Sequence, residues 1–433
     1  MDEWQEVALD EVATLNGGFA FKSSQYTESG RFVLRTVNIT DDFAITKDGA
    51  TFISEREAAD YKRFLLQEHD TLFVMVAATL GKVGYVRSKD LPALLNQNMW
   101  VIRARTNKID PVFLHYAFRE ISKVPLSWVG GSARSFLRRD DVRTLRFKLP
   151  PAAEQQAIAN VLAALDDKIE LNRRINETLE GIAQAVFRDW FVDFGPVRRA
   201  QAGVTDPVAM MGGLIPDPAR AAHLAALFPA VFGHDGLPVG WKAGTLGDIA
   251  KAVGETVSPK SLRPDTPYFG LEHLPRCSIT LHDWGHASAV NSNKAKFEPG
   301  QVLFGKLRPY FHKVGLAPLD GVCSTDIVVM DGIRTVDRPF VVSCASSKSF
   351  VDYTDQGSTG TKMPRTSWGQ MKKYPLAIST ALVRDAYSEI VQPMHDKIIA
   401  AVHENRTLAE TRNYLLPRLI SGAVRVAPLA EAA

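Results

Sequence analysis

Cysteine is scarce in this chain: Cys277, Cys323 and Cys344 are odd in number and far apart. That excludes a disulfide framework or cysteine metal cluster and suits reduced core thiols. No apolar run can cross a bilayer, since the most hydrophobic stretch, Thr71 to Leu80, is too short, and the opening MDEWQEV is acidic. A cytoplasmic protein without membrane contact is expected. The chain also lacks a Gly-x4-Gly-Lys-Ser/Thr phosphate loop and the Asn/Asp-Pro-Pro-Tyr/Phe that amino-methyltransferases place against adenine. Nor does one charge sign dominate, because a formal net charge of +3 over 433 residues permits a polyanionic partner without demanding one.

What the chain does have is a long helical pattern and its copy. Pro150-Pro151 can open a helix, Glu154 sits in its first turn, and Gly195-Pro196 closes it. Between these ends Ile158, Leu162, Leu165, Ile169, Leu179 and Val186 follow a 4-3 spacing interrupted by Asn172 and Asn176, which predicts a coiled-coil seam. A shift of 229 residues lays Asp167-Lys168-Ile169 on Asp396-Lys397-Ile398. The same shift aligns Leu162 with Val391, Leu165 with Met394, Asn176 with Asn405, Leu179 with Leu408 and Val186 with Leu415. The chain is a tandem repeat.

Each helix follows a head. Residues 1–149 mix strand-like runs (Phe32 to Ile39, Thr71 to Ala77, Met99 to Ala104) with a helical pattern from Pro111 to Ile121, and the Trp4 segment is echoed at Trp241. His69 through Gly84 corresponds without a gap to Gly300 through Gly315, and Gly131-Ser132 to Gly357-Ser358. Length and a 45% hydrophobic content allow two or three cores. The expected organisation is a first head at 1–149, a helix at 150–195, a linker at 196–237 with a short helix starting at Asp217-Pro218, a second head at 238–380, a second helix at 381–422 and a tail at 423–433. The fold class is α/β (α+β): two similar globular domains and two long helices forming an antiparallel coiled coil with pseudo-two-fold symmetry.

Other clusters receive plainer readings. His273, Cys277, His282 and His286 are close in sequence, but their C-x4-H-x3-H spacing matches a zinc site only loosely, so no metal is assigned. Asp140-Asp141 and Asp166-Asp167 are read as surface charge, the latter on the exposed part of the helix. Trp190, Phe191 and Phe194 exceed what a helix pair can cover, and either pack on a head or meet a partner.

Leu149-Pro150-Pro151 with Glu154-Gln155-Gln156, the segment DDKIELNRRINETLE, the helix tail FRDWFVDF and Leu415 to Gly422 (LLPRLISG) carry a resemblance to a known family. With YFGLEHLPR from Tyr268 and GSTGTKMPRTSW from Gly357, the chain resembles the specificity subunit of type I restriction-modification enzymes along nearly its whole length. Pro375-Leu376-Ala377-Ile378 departs from the double proline that opens the first helix, and the linker is longer than a minimal spacer. The resemblance implies two target-recognition domains that bind a bipartite sequence in double-stranded DNA, no catalytic residues and no cofactor in this chain. S-adenosylmethionine, ATP and Mg would belong to partners: two adenine methyltransferase subunits and the restriction/translocase subunits.

Under that reading the DNA-binding candidates are Lys82, Arg134, Ser135, Arg138 and Arg139 in the first head, and Lys306, Arg308, Lys313, Thr359, Thr361, Lys362 and Arg365 in the second. Cations suit DNA because phosphate contacts release counterions, and arginine can also read guanine edges. The helix pair and subunit interface would use Ile158, Leu162, Leu165, Ile169, Asn176, Leu179, Val186, Val391, Met394, Ile398, Asn405, Leu408 and Leu415. Asn176 and Asn405 would fix its register by needing a hydrogen-bonding partner, and the rod would set the gap between half-sites. A two-headed protein-binding scaffold and a stand-alone DNA-binding repressor are the competing functions.

Overall fold

The computed structural model describes residues 4–40, 43–75, 79–124, 137–360 and 363–426. The chain divides into two compact units, one made of residues 1–168 with 408–433 and the other of residues 169–407. Each head thus shares its unit with parts of both long helices.

In the first unit Gln5–Ala8 pairs antiparallel with Arg146–Leu149, the strand that leads into the first long helix. The main sheet is antiparallel in the order Ala13–Gly17, Met99–Ala104, Thr71–Val74, Val83–Tyr85. A second sheet orders Thr51–Ile53, Arg31–Leu34 and Ala93–Leu95, the last pair parallel. Along Thr71–Val74 the side chains alternate between two cores: Phe73 faces helix Pro111–Ile121, while Leu72 and Val74 enter the cluster with Phe32 and Leu34. That double burial explains why the strand reads as an unbroken apolar run. Helix Pro111–Ile121 begins where Asp110 accepts a hydrogen bond from Phe113 N at 2.8 Å, with proline in the first turn.

The second unit repeats this plan. Lys242–Thr245 pairs with Pro375–Ile378, and the antiparallel sheet runs Ala250–Ala252, Ile327–Gly332, Val302–Gly305, Val314–Leu316. Its second sheet again contains one parallel pair, Pro267–Phe269 with Gly321–Cys323. Helix Arg338–Ala345 takes the place of Pro111–Ile121. Val302 and Phe304 face one core and Leu303 the other.

The first long helix spans Ala152–Phe187 and ends in a wider turn, Arg188–Val192, closed by Asp193 N donating to Arg188 O at 2.8 Å. The second spans Ala381–Ser421. They run antiparallel within each unit: Asn172 meets Asn405 and Ala183 O accepts from Tyr387 OH in the second, and Asp166 meets Arg412 in the first.

The stretch after the first helix is not bare linker. It folds into helices Gly195–Gln201, Pro207–Met210 and Pro218–Ala225, and Val197, Met211, Ala221 and Leu224 are buried beside Trp190. The Asp-Pro starts at 206–207 and 217–218 supply the caps.

Candidate nucleic-acid interface

In the second unit the structure gathers four predicted residues. Lys306, Thr359 and Arg365 line a shallow recess of about 300 Å³ together with Gly357, Thr366, Ser367 and Gln370. Arg308 lies next to it, its backbone N donating to Pro364 O at 2.8 Å. The Arg365 guanidinium is paired with the Asp326 carboxylate. Burial, and then the neighbouring Arg365, hold the Lys306 ammonium below the usual lysine range. Thr361 and Lys362 lie outside the described residues.

Lys313 does not point outward: its ammonium donates to Leu271 O, so it fastens the hairpin to the Leu271–His273 turn. Lys82 does the same in the first unit, reaching Ile39 O at 3.4 Å. These paired lysines therefore brace equivalent hairpins. Sequence reasoning missed Arg276, which stacks 4.0 Å above the Phe311 ring, and the exposed Tyr310. The signal was present in Arg308-Pro309-Tyr310-Phe311-His312, where Arg308 and His312 both adopt positive φ and turn the loop sharply.

In the first unit Arg138 and Arg139 are exposed at the start of the short helix Arg139–Arg143, and Arg134 and Ser135 lie outside the described residues. Other cations of this segment are already engaged: Arg143 with Asp10 and Asp140, Arg146 with Glu6. Exposed pairs of this kind contribute little to stability and can exchange for phosphate.

The four residues considered for zinc have separate settings. His273 Nδ1 accepts from Gly270 N, His286 Nδ1 lies 3.3 Å from Asp265 O, and Cys277 and His282 are exposed.

The helix seam is also placed. Ile158, Leu162, Ile169, Asn176, Val186, Val391, Ile398 and Asn405 are buried, whereas Leu165, Leu179, Met394, Leu408 and Leu415 are half-buried. Asp166, expected on an exposed face, is instead a hub. Its carboxylate accepts from Tyr116 OH at 2.8 Å, from Arg119 at 3.3 Å and from Arg412 at 2.5 Å. Both guanidinium groups are buried, and Arg119 lies 3.7 Å above the Phe43 ring. Asn405 pairs with Asn172 at 2.9 Å, while both side-chain polar atoms of Asn176 have no partner among the described residues. Trp190 and Phe191 pack on the second head among Phe340, Tyr387 and Trp241.

The sequence motifs near Pro150 acquire a mechanical reading. Glu154 accepts from Trp4 Nε1 at 3.0 Å and from Arg425 at 2.5 and 2.7 Å, which joins the N-terminal strand, the start of one helix and the end of the other. Gln155 accepts from Asp110 N and donates to Pro150 O, both at 2.8 Å.

Fold and surface together define two heads of one topology, each sharing its unit with parts of two long antiparallel helices. Residues 1–181 match the family model described as the type I restriction modification DNA specificity domain. Similar proteins include the type I restriction enzyme MjaIX specificity subunit of Methanocaldococcus jannaschii, 24% identical over 80% of this chain and 76% of its own length. The HindI specificity subunit of Haemophilus influenzae is 27% identical over 66% of this chain and 70% of its own. Among solved structures, a type I restriction-modification S subunit from M. genitalium shares the fold, with a TM-score of 0.52 over 96% of each chain at 15% identity. The chain is similar to type I restriction-modification specificity subunits. No helix among the described residues is long and apolar enough to cross a membrane.

Proposed function

We propose that this chain supplies DNA sequence specificity to a type I restriction-modification complex, each head reading one half of a bipartite double-stranded target. The observation that carries this reading is the pair of heads: equivalent strand registers, fastened by equivalent lysines, support loops that differ in sequence and length. A common frame with divergent loops is what independent recognition of two short sequences requires. The exposed Arg138 and Arg139 in one head and the Lys306–Arg308–Arg365 surface in the other support contact with phosphates and guanine edges. Chemistry falls to partners: adenine methyltransferase subunits with S-adenosylmethionine, and restriction subunits with ATP and Mg.

Mapping methylated adenines across the genome with and without this gene tests the reading. One split motif should disappear, and exchanging residues 1–149 for a relative's head should change one half of it only. An unchanged methylation map, or robust methyl transfer by the purified chain alone, would contradict the proposal.

A further inference from the structure

The second head holds a recess two of whose lining residues, Lys306 and Thr366, have apolar counterparts in the first head. Three backbone stretches meet at its floor: Lys306 N donates to Asp326 O at 2.8 Å, Thr366 N donates to Lys306 O at 3.0 Å, and Arg365 exchanges two hydrogen bonds with Thr359 at 2.9 and 3.0 Å. Gln370 forms part of the wall and lies so close to Gly357 that a Cβ there would overlap its side-chain amide. Thr366 also lines the opening. It is 3% exposed, yet its hydroxyl oxygen has no partner among the described residues. Buried hydroxyls are normally hydrogen-bonded, so one left open beside a cationic recess points to a missing acceptor. The cations at hand are Lys306 and Arg365, against the single carboxylate of Asp326.

Equivalent backbone hydrogen bonds locate the same place in the first head. Met75 N donates to Asn98 O at 3.1 Å as Lys306 N does to Asp326 O, so Met75 is the counterpart of Lys306. Leu9 N to Leu145 O matches Leu246 N to Tyr374 O, both 2.9 Å, and on that alignment Leu137 is the counterpart of Thr366. Met75 and Leu137 belong to the first head's apolar core. The shared fold therefore does not call for a lysine or a threonine at these positions.

We propose that the recess is a phosphate site. Lys306 and Arg365 would neutralise, and the Thr366 hydroxyl would donate to, a non-bridging oxygen of one phosphodiester in bound double-stranded DNA. This inference rests on the DNA-reading function proposed above and assigns the recess one part of it. Phosphate contacts fix register and orientation without carrying sequence information, so the recess positions the second head and leaves its choice of bases to other side chains.

The test installs the first head's residues. Lys306→Met with Thr366→Leu, made in the full chain with its partner subunits, is compared with the unaltered complex on DNA bearing the mapped target. The double variant should bind on the order of tenfold more weakly, and its slope of log K against log salt should be shallower by about 0.9. The methylated motif should be unchanged. Lys306→Arg should keep the original slope, and Thr366→Val alone should weaken binding without altering it. A methylphosphonate at the contacted phosphate should weaken the unaltered complex and spare the double variant. Unchanged affinity and slope in the double variant would overturn the proposal, as would a changed motif, which would mean base reading. If the unaltered complex fails to bind its target, the DNA-reading function falls and this inference with it.

Discussion

The two units close the same junction with different chemistry. Positions 229 residues apart in the long helices are equivalent, so Leu416, Leu419 and Ile420 in the first unit answer to Phe187, Trp190 and Phe191 in the second, and Asp166 answers to His395. The first unit fastens helix ends to head with charge: Asp166 between Arg119 and Arg412, and Glu154 between Trp4 and Arg425. The second adds aromatic volume to a charged link of its own, in which Arg384 of the long helix donates to the buried Asp337 at 3.0 Å and Arg334 donates to Asp385 at 2.7 Å. Val383 replaces Glu154, and Trp241, the counterpart of Trp4, lies among Phe191, Phe194 and Phe228. Strand register rests on backbone hydrogen bonds and helix pairing on the spacing of apolar side chains, and both units keep both. Side-chain fasteners diverge in matched sets, since a buried carboxylate can be lost only together with its partners.

The comparison predicts opposite vulnerabilities. Trp190→Ala should cost the second unit about 4 kcal/mol, because a fully buried indole leaves a cavity that its aromatic neighbours cannot close. Asp166→Asn should cost the first unit about 3 kcal/mol by leaving Arg119 and Arg412 buried without a counter-charge. Denaturant unfolding with amide exchange read out by segment would measure both. Protection should fall in residues 169–407 for the first variant and in residues 1–168 with 408–433 for the second; the reverse pattern would break the comparison.

Acid should weaken both units. Burial pushes His395 down to about 4, with Asp396 opposing. A depressed histidine stays neutral in the folded state while the unfolded chain takes up protons. The stability it contributes is complete above about pH 6.5 and is lost as pH falls toward 4, about 3 kcal/mol for His395. Glu154 in the first unit behaves differently: its hydrogen bond from Arg425 holds its carboxyl below 4.5, so its contribution persists until the pH drops below that value. His115 in the first unit is likewise buried and held well below the usual histidine range, first by burial and then by Arg119, so both units lose stability as the pH falls below about 6.5. In His395→Leu the loss between pH 6.5 and 4 should shrink; equal losses in variant and parent would show that His395 is not the group titrating.

The repeat, three strands of the first head and both long helices were legible because hydrophobic spacing and, for the first helix, an opening proline pair are local signals. The fasteners were not. Asp166 looks like an exposed helical carboxylate until Arg119 and Arg412 arrive from distant parts of the chain. Lys82 and Lys313 look like free cations, yet both ammonium groups donate to carbonyls across a hairpin. Of the three short helices after Phe194, the Asp217-Pro218 start announces Pro218–Ala225, while Gly195–Gln201 and Pro207–Met210 escape sequence reading because their stability comes from burial on the second core rather than from length. Of the candidate site, the basic residues were visible as types, and their convergence with Thr366 was not.

The smallest effect concerns the polar seam, where repeat and structure disagree. Asn176 and Asn405 are equivalent in sequence, but an antiparallel pair brings equivalent residues together only at its midpoint. Asn405 meets Asn172 instead, and Asn172 also donates to Glu404 at 2.7 Å. Asn172→Leu should therefore cost about 1 to 2 kcal/mol, because the Asn405 carbonyl loses its donor in a buried seam. Asn176→Leu should be neutral or stabilise by up to about 1 kcal/mol, since it removes a buried amide that has no partner among the described residues and adds apolar volume. Denaturant midpoints of the two single variants and of the double variant would decide. If Asn176→Leu destabilises as much as Asn172→Leu, the Asn176 amide has a partner, such as a trapped water, and the register depends on both asparagines.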